Sequence, residues 1–259
     1  MIKILVVGEL CLDRFVYGEV NRLCPEAPVP VINPIETKEN RGMAGNVAEN
    51  LKALHNDVEV LHWHQNENIV KTRYVDKKTN QMLLRVDEEK RNGTPMMYIT
   101  PEQRNTISES DIVIISDYKK GYLSNTSIKS IAEISNFTVL DSKRVLNWDT
   151  IQSIDFVKLN TTEYNNNKEL ADKHPEKVLI TRGERGVDYN GVNYPSPNPQ
   201  DTIDVSGAGD TFTAAFILKF YLSRDIPEAI RFANKVCANV VNKKGVAIPD
   251  IEFQSELFN

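Results

Sequence analysis

The stretch Asp204-Val205-Ser206-Gly207-Ala208-Gly209-Asp210 holds the densest chemistry in this 259-residue chain. Its small residues make a turn, and Thr211 to Leu218 follow as a largely apolar run of helical length. A helix that opens on such a turn leaves backbone N–H groups without intrahelical partners. Those groups and the helix dipole together make an anion site. An aspartate inside an anion site repels the ligand the site attracts. Asp210 has one plain use there, which is to accept the proton of a hydroxyl that attacks phosphorus. A carboxylate that only caps the helix is the other reading, and the turn alone leaves both open.

Three further clusters bear on the same chemistry. Asn160-Thr161-Thr162-Glu163 follows an apolar run. Its Asn and Glu, three apart, can face one way and orient water around magnesium and nucleotide phosphates, or can simply cap a helix. Thr181-Arg182-Gly183-Glu184-Arg185-Gly186 follows another apolar run and either brings backbone close to a ligand or turns between two strands. Gly42-Met43-Ala44-Gly45-Asn46 places small residues before a helix. A sugar ring could lie on that backbone with Asn46 bonding a hydroxyl, or the helix could pack closely on a sheet. No Walker A sequence and no dinucleotide fingerprint occurs. His62 and His64 lack further ligands at metal spacing.

The elements that must position these groups read as a parallel sheet. Ile2 to Val7, Ile112 to Ile115, Phe137 to Leu140, Phe156 to Leu159 and Val178 to Ile180 are short apolar runs. Helix-length segments such as Asn125 to Ser135 separate them, which predicts an α/β fold with helices on both faces. Ligands bind beyond the carboxyl ends of such strands. The residues there are Asp13, Ser116-Asp117, Asp141-Ser142-Lys143, Asn160 and Thr181-Arg182-Gly183, a polar set suited to one crevice. Asp225 to Glu228 has capping-box spacing, and the apolar stripe from Ala229 to Val241 predicts a core helix. Residues 14–40, with four prolines, and the hairpin-like 69–88 break the alternation. They predict a small sheet over the crevice mouth, a lid inserted in a single domain spanning 1–259.

Net charge is −5, which gives no sign of a nucleic-acid or anionic-membrane surface. No apolar stretch is long enough to span a bilayer, and the N-terminal run has the wrong length and flanks for a signal peptide. Cys11, Cys24 and Cys237 are far apart and odd in number, which fits structural thiols in a reducing compartment, the cytoplasm.

Taken in order, these residues resemble the ribokinase-like (PfkB-type) carbohydrate kinases over nearly the whole chain. Asp204 to Asp210, Gly42 to Ala48 and Asn160 to Glu163 carry the resemblance. Gly8 to Gly18, the run Arg22 to Val31 with its Pro-Glu-Ala-Pro-Val-Pro, Gln81 to Asp87 and Ser116 to Gly121 are similar to bacterial D-glycero-β-D-manno-heptose 7-phosphate kinases. The resemblance implies a three-layer α/β/α sandwich with a mainly parallel central sheet and a small β lid. It implies ATP and Mg2+ as cofactors, a sugar or sugar phosphate as acceptor, and transfer to a sugar hydroxyl. Asp210 would be the general base, with Gly207, Ala208 and Gly209 giving N–H groups to the transferring phosphoryl. Asn160, Thr161, Thr162 and Glu163 would serve ATP and the metal, and Thr181, Gly183 and Asn234 the nucleotide. Asp13, Gly42 and Asn46 would hold the sugar. For a phosphate already on the substrate, charge alone nominates Arg73, Lys71, Arg85 and Lys143. A monovalent cation and a homodimer through the lid are further expectations. Met43 and Glu9 depart from the usual Gly and Asp, and the short link from Leu61 to Lys71 omits about a helix and a strand. Those departures keep two rivals in view, a kinase for another sugar and a non-catalytic nucleotide- or sugar-binding descendant.

Overall fold

The structure, a computed structural model, describes residues 1–66, 68–89, 94–197, 207–243 and 247–258. In chain order the strands are β1 (Ile2–Gly8), β2 (Leu10–Leu23), β3 (Pro30–Met43), β4 (Val58–Trp63), β5 (Val70–Asp76), β6 (Met82–Glu88), β7 (Ile112–Asp117), β8 (Thr138–Ser142), β9 (Phe156–Asn160), β10 (Val178–Thr181), β11 (Val187–Tyr189) and β12 (Val192–Tyr194). The helices are α1 (Ala44–Leu54), α2 (Pro101–Glu109), α3 (Asn125–Ile134), α4 (Trp148–Ile151), α5 (Thr161–Asn166), α6 (Lys168–Lys173), α7 (Ala208–Ser223), α8 (Ile226–Val241) and α9 (Glu252–Glu256).

Eight strands form one sheet in the order β12-β11-β10-β9-β8-β7-β1-β4. The pairings from β4 through β10 are parallel, and β11 and β12 close the edge antiparallel. Strands covered on both faces must be apolar on both faces, which is why β7 reads Ile-Val-Ile-Ile and is buried throughout. One face packs Val47 of α1, Phe216 of α7 and Ile230 of α8. The other packs Ile107 of α2, Ile128 of α3 and Ile151. This is the expected three-layer sandwich. Helix α7 is apolar nearly all round, and every residue from Asp210 to Lys219 is buried, so the turn before it is held rigidly.

The expected small sheet also forms, with strand order β3-β2-β5-β6. Its strands are longer than the sequence pattern indicated. β2 starts two residues after β1 ends, and β3 runs directly into α1. β2 and β5 pair in parallel, with Asp13 opposite Lys71. Asp225 caps α8 by accepting from the Glu228 N–H at 2.8 Å. Glu228 does not complete the box, because its carboxylate pairs with Lys219 at 2.9 Å.

Candidate active site

Asp210 lies in the first turn of α7, fully enclosed by protein. Gly207 caps that helix with φ 80° and offers no side-chain bond to the free N–H groups behind it. A left-handed backbone is cheap for glycine, and the lack of a capping side chain leaves those donors for a ligand. Asp204, Val205 and Ser206 lie outside the described residues. Each oxygen of Asp210 has a protein donor: the Tyr118 hydroxyl at 2.7 Å and the Asn46 amide at 3.1 Å. Burial, then the charge of Asp141, pushes the Asp210 pKa up to about 6, although both hydrogen bonds oppose the rise. A carboxylate tuned in this way is ionised at neutral pH and basic enough to take a proton.

Beside this turn stands a cation that sequence reasoning missed. Lys158, on β9, is buried and pairs with Asp141 at 2.6 Å. Burial works against its charge, but Asp141 together with Glu163 and Asp210 outweighs that and holds its pKa above the usual lysine value. A Cβ added to Gly209 would come within 2.9 Å of the Lys158 ammonium, so the ammonium packs on the anion turn itself. Its one sequence signal was a charge inside a strand buried on both faces.

A cavity of about 440 Å³ opens from this point. Asn160, Glu163, Thr181, Gly183, Ala208 and Asn234 all line it, as the sequence placed them. Cys237 and Val241, read from their stripe as core, line it too. Burial pushes the Cys237 thiol up to about 12, so this cysteine is inert. Asn234 spends its amide on the carbonyls of Tyr194 and Pro195, at 2.9 and 3.3 Å, and so shapes the wall. Asn160 and Glu163 form a reciprocal capping box at 2.9 and 2.7 Å, and Thr161 and Thr162 lie in the first turn of α5. Capping thus leaves both residues on the cavity wall. The Glu163 carboxylate is buried, faces the cavity, and has its pKa raised by burial and then by Asp141.

Among the described residues no three His, Cys, Asp or Glu side chains gather as a metal cluster. Magnesium asks for less, one or two carboxylates plus phosphate oxygens and water. Asp141 is spent on Lys158, which leaves the Glu163 carboxylate on the cavity wall as the group that fits such an ion.

On the acceptor side, Asp13 is buried and salt-bridged to Arg73 at 2.5 Å. A Cβ on Gly42 would lie 2.0 Å from Asp13 Oδ2. Gly42 is thus the slot that admits the carboxylate, and Gly42→Ala should expel it. The expected result is a KM for the sugar at least about tenfold higher, with ATP affinity unchanged, in initial-rate kinetics. Unchanged sugar KM would show that Asp13 does not depend on the slot. Asn46 gives its amide to Asp210 and to the Gly207 carbonyl, and its oxygen accepts from Asn50 at 2.9 Å. It orients the Asp210 carboxylate, leaving little for a sugar hydroxyl. Arg85, like Arg73, is already paired, with Asp87 at 2.7 and 2.8 Å. Charge alone ranked these cations without their partners. Met43 has φ 57°, a strained backbone for a bulky side chain. Its side chain packs into the cluster of Cys11, Ile69 and Tyr118.

Glu9 explains how Tyr118 is held. Its buried carboxylate accepts from the N–H groups of Tyr118, Lys120 and Tyr122 at 2.8, 3.0 and 3.2 Å. Asp117, next to Tyr118, is pinned by Arg144 at 2.6 Å.

The family described as pfkB family carbohydrate kinase matches residues 155–252, which carry the Asn160–Glu163 box, Lys158, the anion turn and Asp210. The D-beta-D-heptose 7-phosphate kinase of Bordetella bronchiseptica is 29% identical, with 95% of this chain and 93% of that protein aligned. These similarities support a sugar kinase of the pfkB type. The bifunctional protein HldE of Helicobacter pylori is 30% identical to this chain over 97% of the chain and 65% of that protein. Against such bifunctional relatives the chain spans only 61 to 65% of their length. Alignments of 290 to 303 positions exceed its 259 residues, so these relatives carry stretches it lacks. Thermotoga maritima ribokinase shares the fold at 18% identity with a TM-score of 0.73, covering 99% of each chain. Arabidopsis thaliana ribokinase, solved with ribose and ATP, gives 0.72 at 18% identity over 100% and 99% of the two chains.

Proposed function

We propose that this protein transfers a phosphoryl group from ATP to the anomeric hydroxyl of D-glycero-β-D-manno-heptose 7-phosphate, giving the 1,7-bisphosphate. The observation that carries the reading is Asp210, raised to about 6 and held by Tyr118 and Asn46 beside the uncapped N-terminus of α7. A protein that only bound nucleotide would have no need of a base tuned there.

Asp210 takes the hydroxyl proton as the oxygen attacks. The N–H groups of the anion turn at Gly207, Ala208 and Gly209, with the Lys158 ammonium, hold the charge that develops on the phosphoryl oxygens. Asp13 bonds acceptor hydroxyls, and the wall around Thr181, Gly183 and Asn234 takes the nucleoside. Magnesium, when bound, neutralises phosphate charge, and Glu163 would hold it on the cavity floor. The four-stranded sheet acts as the lid that keeps water out.

ADP release with magnesium-ATP across a panel of sugars tests the reading. The panel holds the heptose 7-phosphate, fructose phosphates and ribose. Turnover confined to the heptose phosphate supports it, and turnover on ribose alone would overturn the acceptor.

We also propose a homodimer through the lid. Met82, Leu84 and Val86 on its edge strand β6 are 54, 56 and 38% exposed, and pairing lids would cover them. Light scattering should give twice 29.4 kDa, and a monomeric mass would refute it. Among the described residues no helix is long and apolar enough to cross a membrane. The three cysteines are free thiols, which suits the cytoplasm.

A further inference from the structure

Of the four candidate cations, Lys71, Arg73 and Arg85 lie on the small sheet and Lys143 lines the cavity of about 440 Å³ beside Tyr118, and the structure divides them into two pairs. Arg73 is neutralised by Asp13 at 2.5 Å, with its guanidinium over the Phe15 ring. Arg85 is neutralised by Asp87 on the same strand, at 2.7 Å. Lys71 and Lys143 have no ion pair among the described residues. They come from different sheets. Lys71 lies on β5 of the lid, and Lys143 follows the carboxyl end of β8 in the large sheet. Both ammonium groups nevertheless lie over one ring, that of Tyr118, at 5.9 and 4.0 Å from its centroid. The far end of that ring is the hydroxyl that bonds Asp210 at 2.7 Å.

Two like charges brought together cost free energy, which Glu163, Asp141 and Asp210 offset only in part at Lys143. The cost registers at Lys143, whose pKa is held below the ordinary lysine value by the surrounding cleft and then by Lys71. The face of an aromatic ring repays part of it. A dianion within reach of both ammonium groups would repay the rest. It would lie one tyrosine ring away from the base, which is where the remote end of a phosphorylated sugar falls when its reacting hydroxyl is at Asp210.

We infer that Lys71 and Lys143 form a two-lysine clamp, floored by Tyr118, for a phosphate monoester already carried by the acceptor. This rests on the kinase reading for the identity of the acceptor. The clamp itself can be tested without turnover. Because one lysine belongs to the lid and the other to the core, a phosphate held between them also draws the lid onto the large sheet.

The test compares the wild-type protein with Lys71→Met, Lys143→Met, the double variant, and Lys119→Met as an exposed control. Each clamp variant should raise the KM for heptose 7-phosphate about ten- to hundredfold, while ATP affinity stays within about twofold. The double variant should lose preference for the phosphorylated sugar over its unphosphorylated counterpart, and the control should behave as wild type. If Lys143→Met weakens ATP as much as the sugar phosphate, Lys143 serves the nucleotide and the clamp is refuted. An unchanged KM in the double variant refutes it as well. Calorimetric titration with inorganic phosphate separates this from failure of the kinase reading. Binding to wild type that disappears in the double variant supports the clamp even where no sugar is turned over, and no binding to wild type overturns it.

Discussion

Asp210→Asn abolishes sugar-dependent ADP release, by about a thousandfold or more, while leaving ATP binding and the fold intact. Asparagine keeps the shape of the side chain and loses the basic oxygen. The wild-type pH profile should show the same group. With a pKa of about 6, the carboxylate protonates as pH falls through 6. kcat/KM should then drop tenfold per unit below that point and level off above it. Stability moves the opposite way. The folded pKa lies above the ordinary value of 3.8, so the carboxyl favours folding below about pH 4. That contribution is lost as pH rises through about 6, where a charge must be kept buried. Asp210→Asn should therefore melt at no lower a temperature than wild type at pH 7 to 8, with the difference fading toward pH 4. Substantial turnover by the variant would remove Asp210 as the base.

Lys158→Met should be the second most damaging change, for two separable reasons. It strands the buried Asp141 carboxylate, now paired at 2.6 Å. Breaking a buried pair in this way costs about 3–5 kcal/mol. It also takes a fixed positive charge from the anion turn and from Asp210, whose pKa Lys158 lowers. The acid limb of the pH profile should accordingly move up. The double variant Lys158→Met with Asp141→Leu separates the effects. Apolar replacement of both partners restores stability in urea unfolding, but kcat stays at least about a hundredfold down. Wild-type kcat in the double variant would show Lys158 to be a structural residue only.

Much of this site was legible before any coordinates, and the boundary of legibility has a physical cause. β7 and β9 announce themselves because burial on both faces demands unbroken apolar runs. The anion turn does so because small residues precede a helix. Asp141 and Asp117 were placed at strand ends correctly, but their partners, Lys158 and Arg144, lie 17 and 27 residues away. Tyr118 meets Asp210 across 92 residues. Such contacts depend on sheet order, which local pattern does not contain. Arg73 shows the same limit. A hairpin and an extended segment were foreseen over the crevice. The parallel pairing of β2 with β5, which brings Arg73 within reach of Asp13, was not. Asn160 and Glu163 had been read as either cap or ligand set, and their reciprocal bonds and cavity position make the two roles compatible.

Two of the small sheet's connections to the rest of the fold have almost no loop. β2 begins two residues beyond β1, and β3 passes into α1 without a break at Met43. Glu9, Gly42 and Met43 sit at or beside these junctions, next to the proposed acceptor floor around Asp13. Any tilt of the small sheet against the large one would therefore be felt first at these two junctions, one of which holds the strained backbone of Met43.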